Sequence, residues 1–101
     1  MTITPQEAKK LMDTETDYMI LDVRGENEYR ESHIPKAESL PLPELPVKAE
    51  EMLPDKDQLI LVYCHSGIRS AAAADQLEMM GYTNVKDFGG IIRWPFDVTG
   101  A

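Results

Sequence analysis

Cysteine is scarce in this chain of 101 residues: Cys64 is the only one, beside two histidines, one tryptophan and two phenylalanines. A lone cysteine excludes any disulfide within the chain, and one Cys with two His leaves too few soft ligands for a structural zinc site. Cys64 is therefore expected to be free, with no metal and no organic cofactor. Positive charge is short as well, since 10 Lys and Arg against 18 Asp and Glu give a net charge of −8. That excess repels phosphate backbones and anionic lipid, so neither nucleic acid nor a membrane is an expected partner. Long apolar runs are missing: the longest, Leu59 to Cys64, falls far below the ~20 residues that span a bilayer. Met1 to Glu7 has no basic stretch followed by an apolar one, which reads as a cytoplasmic protein in reducing surroundings.

What is present describes one globular domain over residues 1–101, with 43% apolar and 28% charged residues. A chain of this length buries roughly two-thirds of its unfolded surface, enough for one core without staples. Thr4, Pro5 and Glu7 announce a helix, with a cap, a first-turn proline and the acidic partner of a capping box. Tyr18 to Val23 reads as a buried strand ending at Arg24-Gly25, and Glu26 to Glu31 as a brief helix. Prolines 41, 43 and 46 argue against a helix or a central strand from Ala37 to Pro46, leaving Ser39 to Leu42 as an edge segment. Val47, Met52 and Leu53 suggest one short helix before Pro54. Leu59 to Tyr63 is the strongest strand, apolar throughout and so expected to be covered on both faces. Ser70 to Met80 is the strongest helix, with Ala73, Leu77 and Met80 on its core face and Gly81 at its end. Val85 to Phe88 is a last short strand. Alternating strands and helices predict an α/β domain with a mostly parallel central sheet flanked by helices.

The segment Cys64-His65-Ser66-Gly67-Ile68-Arg69 joins the strongest strand to the strongest helix. Ligands of open α/β sheets bind outside the carboxyl ends of strands, where a helix N-terminus offers unpaired N–H groups and a partial positive charge. Gly67 permits φ > 0, which lets successive amides turn toward one sulfur atom and favours the thiolate of Cys64. A lone cysteine after an apolar strand is more often a small buried hydrophobe. Here the glycine, the arginine and the following helix point instead to a reactive thiolate.

These residues, with Leu21-Asp22-Val23-Arg24, Glu28-Tyr29, Ser32-His33-Ile34-Pro35-Lys36-Ala37, and Gly89-Gly90 followed by Trp94, resemble the single-domain rhodaneses in order and over most of the chain. The resemblance implies the rhodanese-like fold, a parallel sheet with helices on both faces and the active loop after a central strand. It implies a sulfurtransferase of the thiosulfate sulfurtransferase type, which takes a sulfane sulfur from thiosulfate or a low-molecular-weight persulfide onto Cys64 as a persulfide. The sulfur would then pass to cyanide or a thiol acceptor. His65, Ser66, Gly67, Ile68 and Arg69 would surround that sulfur as the substrate-binding loop, and His33 would be a structural hydrogen-bonding residue of the Ser32 to Ala37 turn. Two positions depart from the family pattern: Lys36 stands where Gly is frequent, and His65 where many thiosulfate-using members have Arg.

The remaining residues divide between chemistry and structure. Arg69 is expected to anchor anions at the pocket in preference to pairing with a carboxylate. Asp22 and Arg24 are expected to fix loop geometry, and Arg24 with Glu28 has the i, i+4 spacing of a helix-surface pair. Trp94 is expected in the core or the pocket wall. Phosphatase or arsenate-reductase chemistry is a rival, since it also uses a Cys-to-Arg loop at a helix N-terminus, but four residues separate Cys64 from Arg69 and the phosphatase loop is one residue longer. A second rival is a non-catalytic interaction module, or a sulfur carrier serving one dedicated protein acceptor.

Overall fold

Thr4 starts the first helix by the reciprocal bonds its sequence predicts: Glu7 N–H donates to Thr4 Oγ1 at 3.0 Å and Thr4 N–H to Glu7 Oε1 at 2.9 Å. In the computed structural model, which describes residues 1–100, that helix is α1, Pro5–Thr14. It is followed by β1 (Tyr18–Asp22), α2 (Glu26–Glu31), β2 (Glu38–Ser39), α3 (Leu45–Met52), β3 (Leu59–Cys64), α4 (Ile68–Met79) and β4 (Val85–Gly90). Short 3-10 turns occupy Leu42–Glu44 and Ile91–Arg93.

All four strands are parallel in the order β2-β1-β3-β4. Every residue of β3 is buried, as its unbroken apolar run requires. Its alternate side chains enter two separate cores. Ile60, Val62 and Cys64 pack with Leu45, Ala49 and Leu53 and with Ala73, Ala74 and Leu77 of α4. Leu59, Leu61 and Tyr63 pack on the opposite face with Ala8 of α1, Ile34 and Phe88, and Trp94 closes that side, half-buried. Helices therefore cover both faces. Among the described residues, no helix is long and apolar enough to cross a membrane.

The structure corrects the proline-rich stretch. Pro43 lies inside the 3-10 turn and Pro46 in the first turn of α3, where a missing N–H removes no helical hydrogen bond. A helix therefore begins before Val47, and Val47 itself is 83% exposed while Leu45 and Ala49 supply the buried face. β4 runs on through both glycines to Gly90. α4 begins two residues before Ser70, because Gly67 adopts φ 110° and turns the chain directly into the helix. Among the described residues Lys36 is the one non-glycine residue with positive φ, at 73°, so the lysine at this position sits in the left-handed region that glycine takes freely.

Candidate active site

The chain leaves β1 toward β2 on one side and returns to β3 on the other, so the carboxyl ends of β1 and β3 form the crevice where strand order reverses. Two loops meet there: Arg24 to Glu28 after β1, and Cys64 to Arg69 after β3. Beneath them lies a buried polar network. Asp22 is fully buried and takes Arg24 Nη2 at 2.6 Å, Arg24 Nε at 3.0 and 3.1 Å, and the Tyr63 hydroxyl at 2.7 Å. Arg24 Nη2 also donates to Ser32 O at 2.6 Å, and Ile34 N–H donates to the Tyr63 hydroxyl at 3.0 Å. Because every partner is satisfied, the network locks the ends of β1 and β3 to the Ser32 to Ala37 turn. Burial, then the bond to Asp22, push the Tyr63 phenol well above its ordinary range, so it serves as a neutral donor.

Cys64 is a free cysteine at the last position of β3, with only 1% of its surface exposed. Gly67 N–H donates to Sγ at 3.0 Å, which its left-handed backbone makes possible. Ser70 Oγ lies 3.5 Å from Sγ and also reaches Gly67 O at 3.1 Å and Gly89 O at 3.4 Å. A hydroxyl has one proton to give. Beside a thiol it can accept S–H and donate to a carbonyl; beside a thiolate it can turn to donate to sulfur. Burial alone would push the Cys64 thiol up, but the Ser70 hydroxyl and the N–H groups of Ser70, Gly67 and Ser66 outweigh it and hold the thiol below its ordinary value.

Gly90 closes the loop from the other side. A Cβ there would sit 2.1 Å from His65 O and 2.6 Å from Ser66 Cα, so the strand can approach this closely only without a side chain. Ile92 N–H then donates to His65 O at 3.3 Å and fixes the loop to the segment after β4. His65 and Ser66 are exposed, and Ile68 is 80% exposed at the start of α4. The sulfur is thus almost wholly covered by a loop whose own His65, Ser66 and Ile68 side chains are open to solvent.

Arg69 departs from expectation. Its guanidinium forms a bidentate pair with Glu28, Nη1 to Oε1 at 2.8 Å and Nη2 to Oε2 at 3.0 Å, instead of standing open for an anion. The bond to Arg69, with the Gly25 amide also contributing against the cost of burial, lowers the Glu28 carboxyl to about 2. The expected surface pair between Arg24 and Glu28 does not form, because Arg24 is drawn inward by buried Asp22 and leaves Glu28 to Arg69. His33 Nδ1 lies 2.8 Å from Tyr29 O, its ring stacks on Tyr29, and its backbone exchanges hydrogen bonds with Thr99. Among the described residues none of its bonds goes to the Cys64 loop.

Three residues of this constellation were absent from the sequence-based site. Ser70 lies one position beyond the expected loop and reads as a helix-start residue; only the first turn of α4 aims it at sulfur. Glu28 is legible as part of a motif but not as the partner of a residue 41 positions away. Gly90 is legible as a glycine, and its reason lies in a backbone contact between β4 and the loop after β3. Among the described residues, no group of three or more His, Cys, Asp or Glu is placed to hold a metal ion.

The chain is similar in sequence and in fold to known proteins. A family model described as a Rhodanese-like domain matches residues 4–94. Thiosulfate sulfurtransferase PspE of Escherichia coli (strain K12) is 37% identical over 71 residues, which cover 70% of this chain and 68% of that protein. A sulfurtransferase of Allochromatium vinosum is 38% identical over 88 residues, covering 86% of this chain and 79% of the other. A solved structure described as rhodanese with anions from E. coli superposes with a TM-score of 0.78 at 31% identity, covering 83% of this chain and 99% of that one.

Proposed function

The chain belongs to the rhodanese-like domain family, and we propose that it is a sulfurtransferase that carries a sulfane sulfur on Cys64 from thiosulfate or a low-molecular-weight persulfide to cyanide or a thiol. The observation that carries this reading is the setting of Cys64. Its sulfur lies at the N-terminus of α4, bonded by Gly67 N–H at 3.0 Å and neighboured by the Ser70 hydroxyl at 3.5 Å, with its thiol held below the ordinary value.

In the first step the Cys64 thiolate attacks the outer sulfur of the donor. A new S–S bond forms, the donor's own bond to that sulfur breaks, and the electron pair leaves with sulfite or with the donor thiolate. In the second step an acceptor thiolate or cyanide attacks the outer sulfur of the Cys64 persulfide, and the electron pair returns to Cys64. The two steps need no net oxidant and no general base, because the thiolate is already favoured and both leaving groups depart as anions. The protein's contribution is position and field: the amides of Ser66, Gly67 and Ser70 face charge that stays on sulfur through both steps. The loop, with four residues between Cys64 and Arg69, suits one sulfur above the thiolate better than a tetrahedral oxyanion with several oxygens to satisfy.

The test is intact-mass spectrometry after separate exposure to thiosulfate, glutathione persulfide and mercaptopyruvate. Each donor that serves adds one sulfur to the wild-type protein, and none adds sulfur to Cys64→Ser, which loses the nucleophile at almost constant volume. Sulfur carried by folded Cys64→Ser, or by neither protein with any donor, would refute the reading.

A further inference from the structure

An arginine at the end of an anion-receptive loop should draw negative donors, yet both outer nitrogens of Arg69 are engaged by Glu28 at 2.8 and 3.0 Å. A bidentate carboxylate matches the guanidinium fork and cancels its net charge. Glu28 is held in place independently of Arg69. It sits in the first turn of α2, where its Oε1 also accepts Gly25 N–H at 3.0 Å. The pair is partly solvated, with 37% of the Arg69 side chain and 38% of the Glu28 side chain exposed, and it ties the loop after β1 to the loop that carries Cys64. Arg69 lies in the loop that begins at Cys64, and its guanidinium is favoured first by the bond to Glu28 and further by the charge of a Cys64 thiolate. The buried charge beneath the two loops cancels in the same way, since Asp22 is paired with Arg24 at 2.6 Å. The arginines of the two loops, Arg24 and Arg69, are thus both engaged by carboxylates, and neither stands as a free cation.

We infer that Glu28 is a specificity-determining positioning residue: by neutralising Arg69 it biases the Cys64 site toward donors with little charge beside the sulfane sulfur and against dianions such as thiosulfate. The inference takes its substrates from the sulfur-transfer reading, but its test does not require transfer to occur. Iodoacetamide and iodoacetate alkylate Cys64 by the same displacement, in which the sulfur forms a bond to carbon and iodide leaves with the electron pair. One reagent is neutral and the other anionic. The ratio of their rates cancels changes in thiolate population or loop access and reports the local charge that an incoming anion meets.

Glu28→Gln should raise the iodoacetate-to-iodoacetamide ratio about fivefold at low salt, the effect of unmasking one charge in a partly solvated site, and the gain should shrink toward unity near ~1 M salt. Arg69→Met should lower the ratio by a similar factor, because Glu28 then stands unpaired, and added salt should restore it. The double variant should return to the wild-type ratio. An unchanged ratio in folded Glu28→Gln would overturn the inference. So would a double variant as low as Arg69→Met, which would make Arg69 a direct anion contact that Glu28 does not screen. If Glu28→Gln fails to fold, the salt response of Arg69→Met decides: no recovery of the ratio with salt overturns the inference. Sulfur loading measured in parallel separates the two readings. A raised ratio without loading from any donor supports the screening role while refuting sulfur transfer, and loading with an unchanged ratio refutes the screening role alone.

Discussion

Replacing Ser70 by Ala removes one oxygen from a fully buried position and should change the reactivity of Cys64 more than it changes the fold. The hydroxyl lies 3.5 Å from Sγ and 3.1 Å from Gly67 O, and the backbone amide of the same residue also bears on the sulfur. Alanine keeps that amide and keeps the helix, so the loss is confined to the side-chain hydrogen bond. Hydrogen bonds to charged groups contribute about 1.5–3 kcal/mol, and the length of this one places it at the lower end, near 1.5 kcal/mol. At a pH below the wild-type midpoint, that corresponds to roughly a tenfold smaller thiolate fraction. Stopped-flow alkylation by iodoacetamide as a function of pH reads this directly, as a midpoint displaced upward with an unchanged plateau. Stability moves in a matching direction. The folded Cys64 thiol ionises below its unfolded value, so its thiolate contributes stability that is complete above the unfolded value and is lost as pH falls through the folded one. Wild type should gain stability to urea over that window, and Ser70→Ala should gain less. Superimposable alkylation profiles for the two proteins would refute the reasoning and leave the backbone amides as the sole support of the thiolate.

Gly90→Ala should destabilise the protein by about 3 kcal/mol and disorder the Cys64 loop, because its Cβ would meet His65 O at 2.1 Å and neither backbone can yield without shifting β4. Urea midpoints measure the loss, and a wild-type midpoint would show that the close approach is not obligatory. Lys36→Gly should stabilise by about 0.5 kcal/mol, since relief of a left-handed lysine, about 1 kcal/mol, exceeds the added unfolded-state entropy. Thermal unfolding should rise by about 3 °C, and a fall would mean that the Lys36 side chain contributes contacts that outweigh its backbone strain.

Local chemistry made the elements legible before any contact was known. The Thr4–Glu7 capping box, the apolar run from Leu59, the helical spacing of Ala73 and Leu77 and the glycine at 67 each act within a few residues of themselves, and each holds in the folded chain. The position of Cys64 was legible for the same reason, since a strand, a glycine turn and a helix are consecutive in sequence and their junction needs no distant partner. Pro46 misled only because proline is compatible with the first turn of a helix and with no later one, and the choice between those depended on whether Leu45 could be buried. What the sequence could not decide is which charge meets which. Arg24 had Glu28 at the spacing of a helix-surface pair, and burial of Asp22 at the end of β1 settled the matter by claiming Arg24 and leaving Glu28 to Arg69. An unpaired carboxylate inside the core costs far more than one at the surface, so the interior pair forms first in the energetic order and the exterior pair takes what remains. The electrostatics around Cys64, including the loss of Arg69 as an open anion site and the recruitment of Ser70, therefore follow from which side chains the sheet buries. That is a property of the assembled structure and not of any local stretch of the chain.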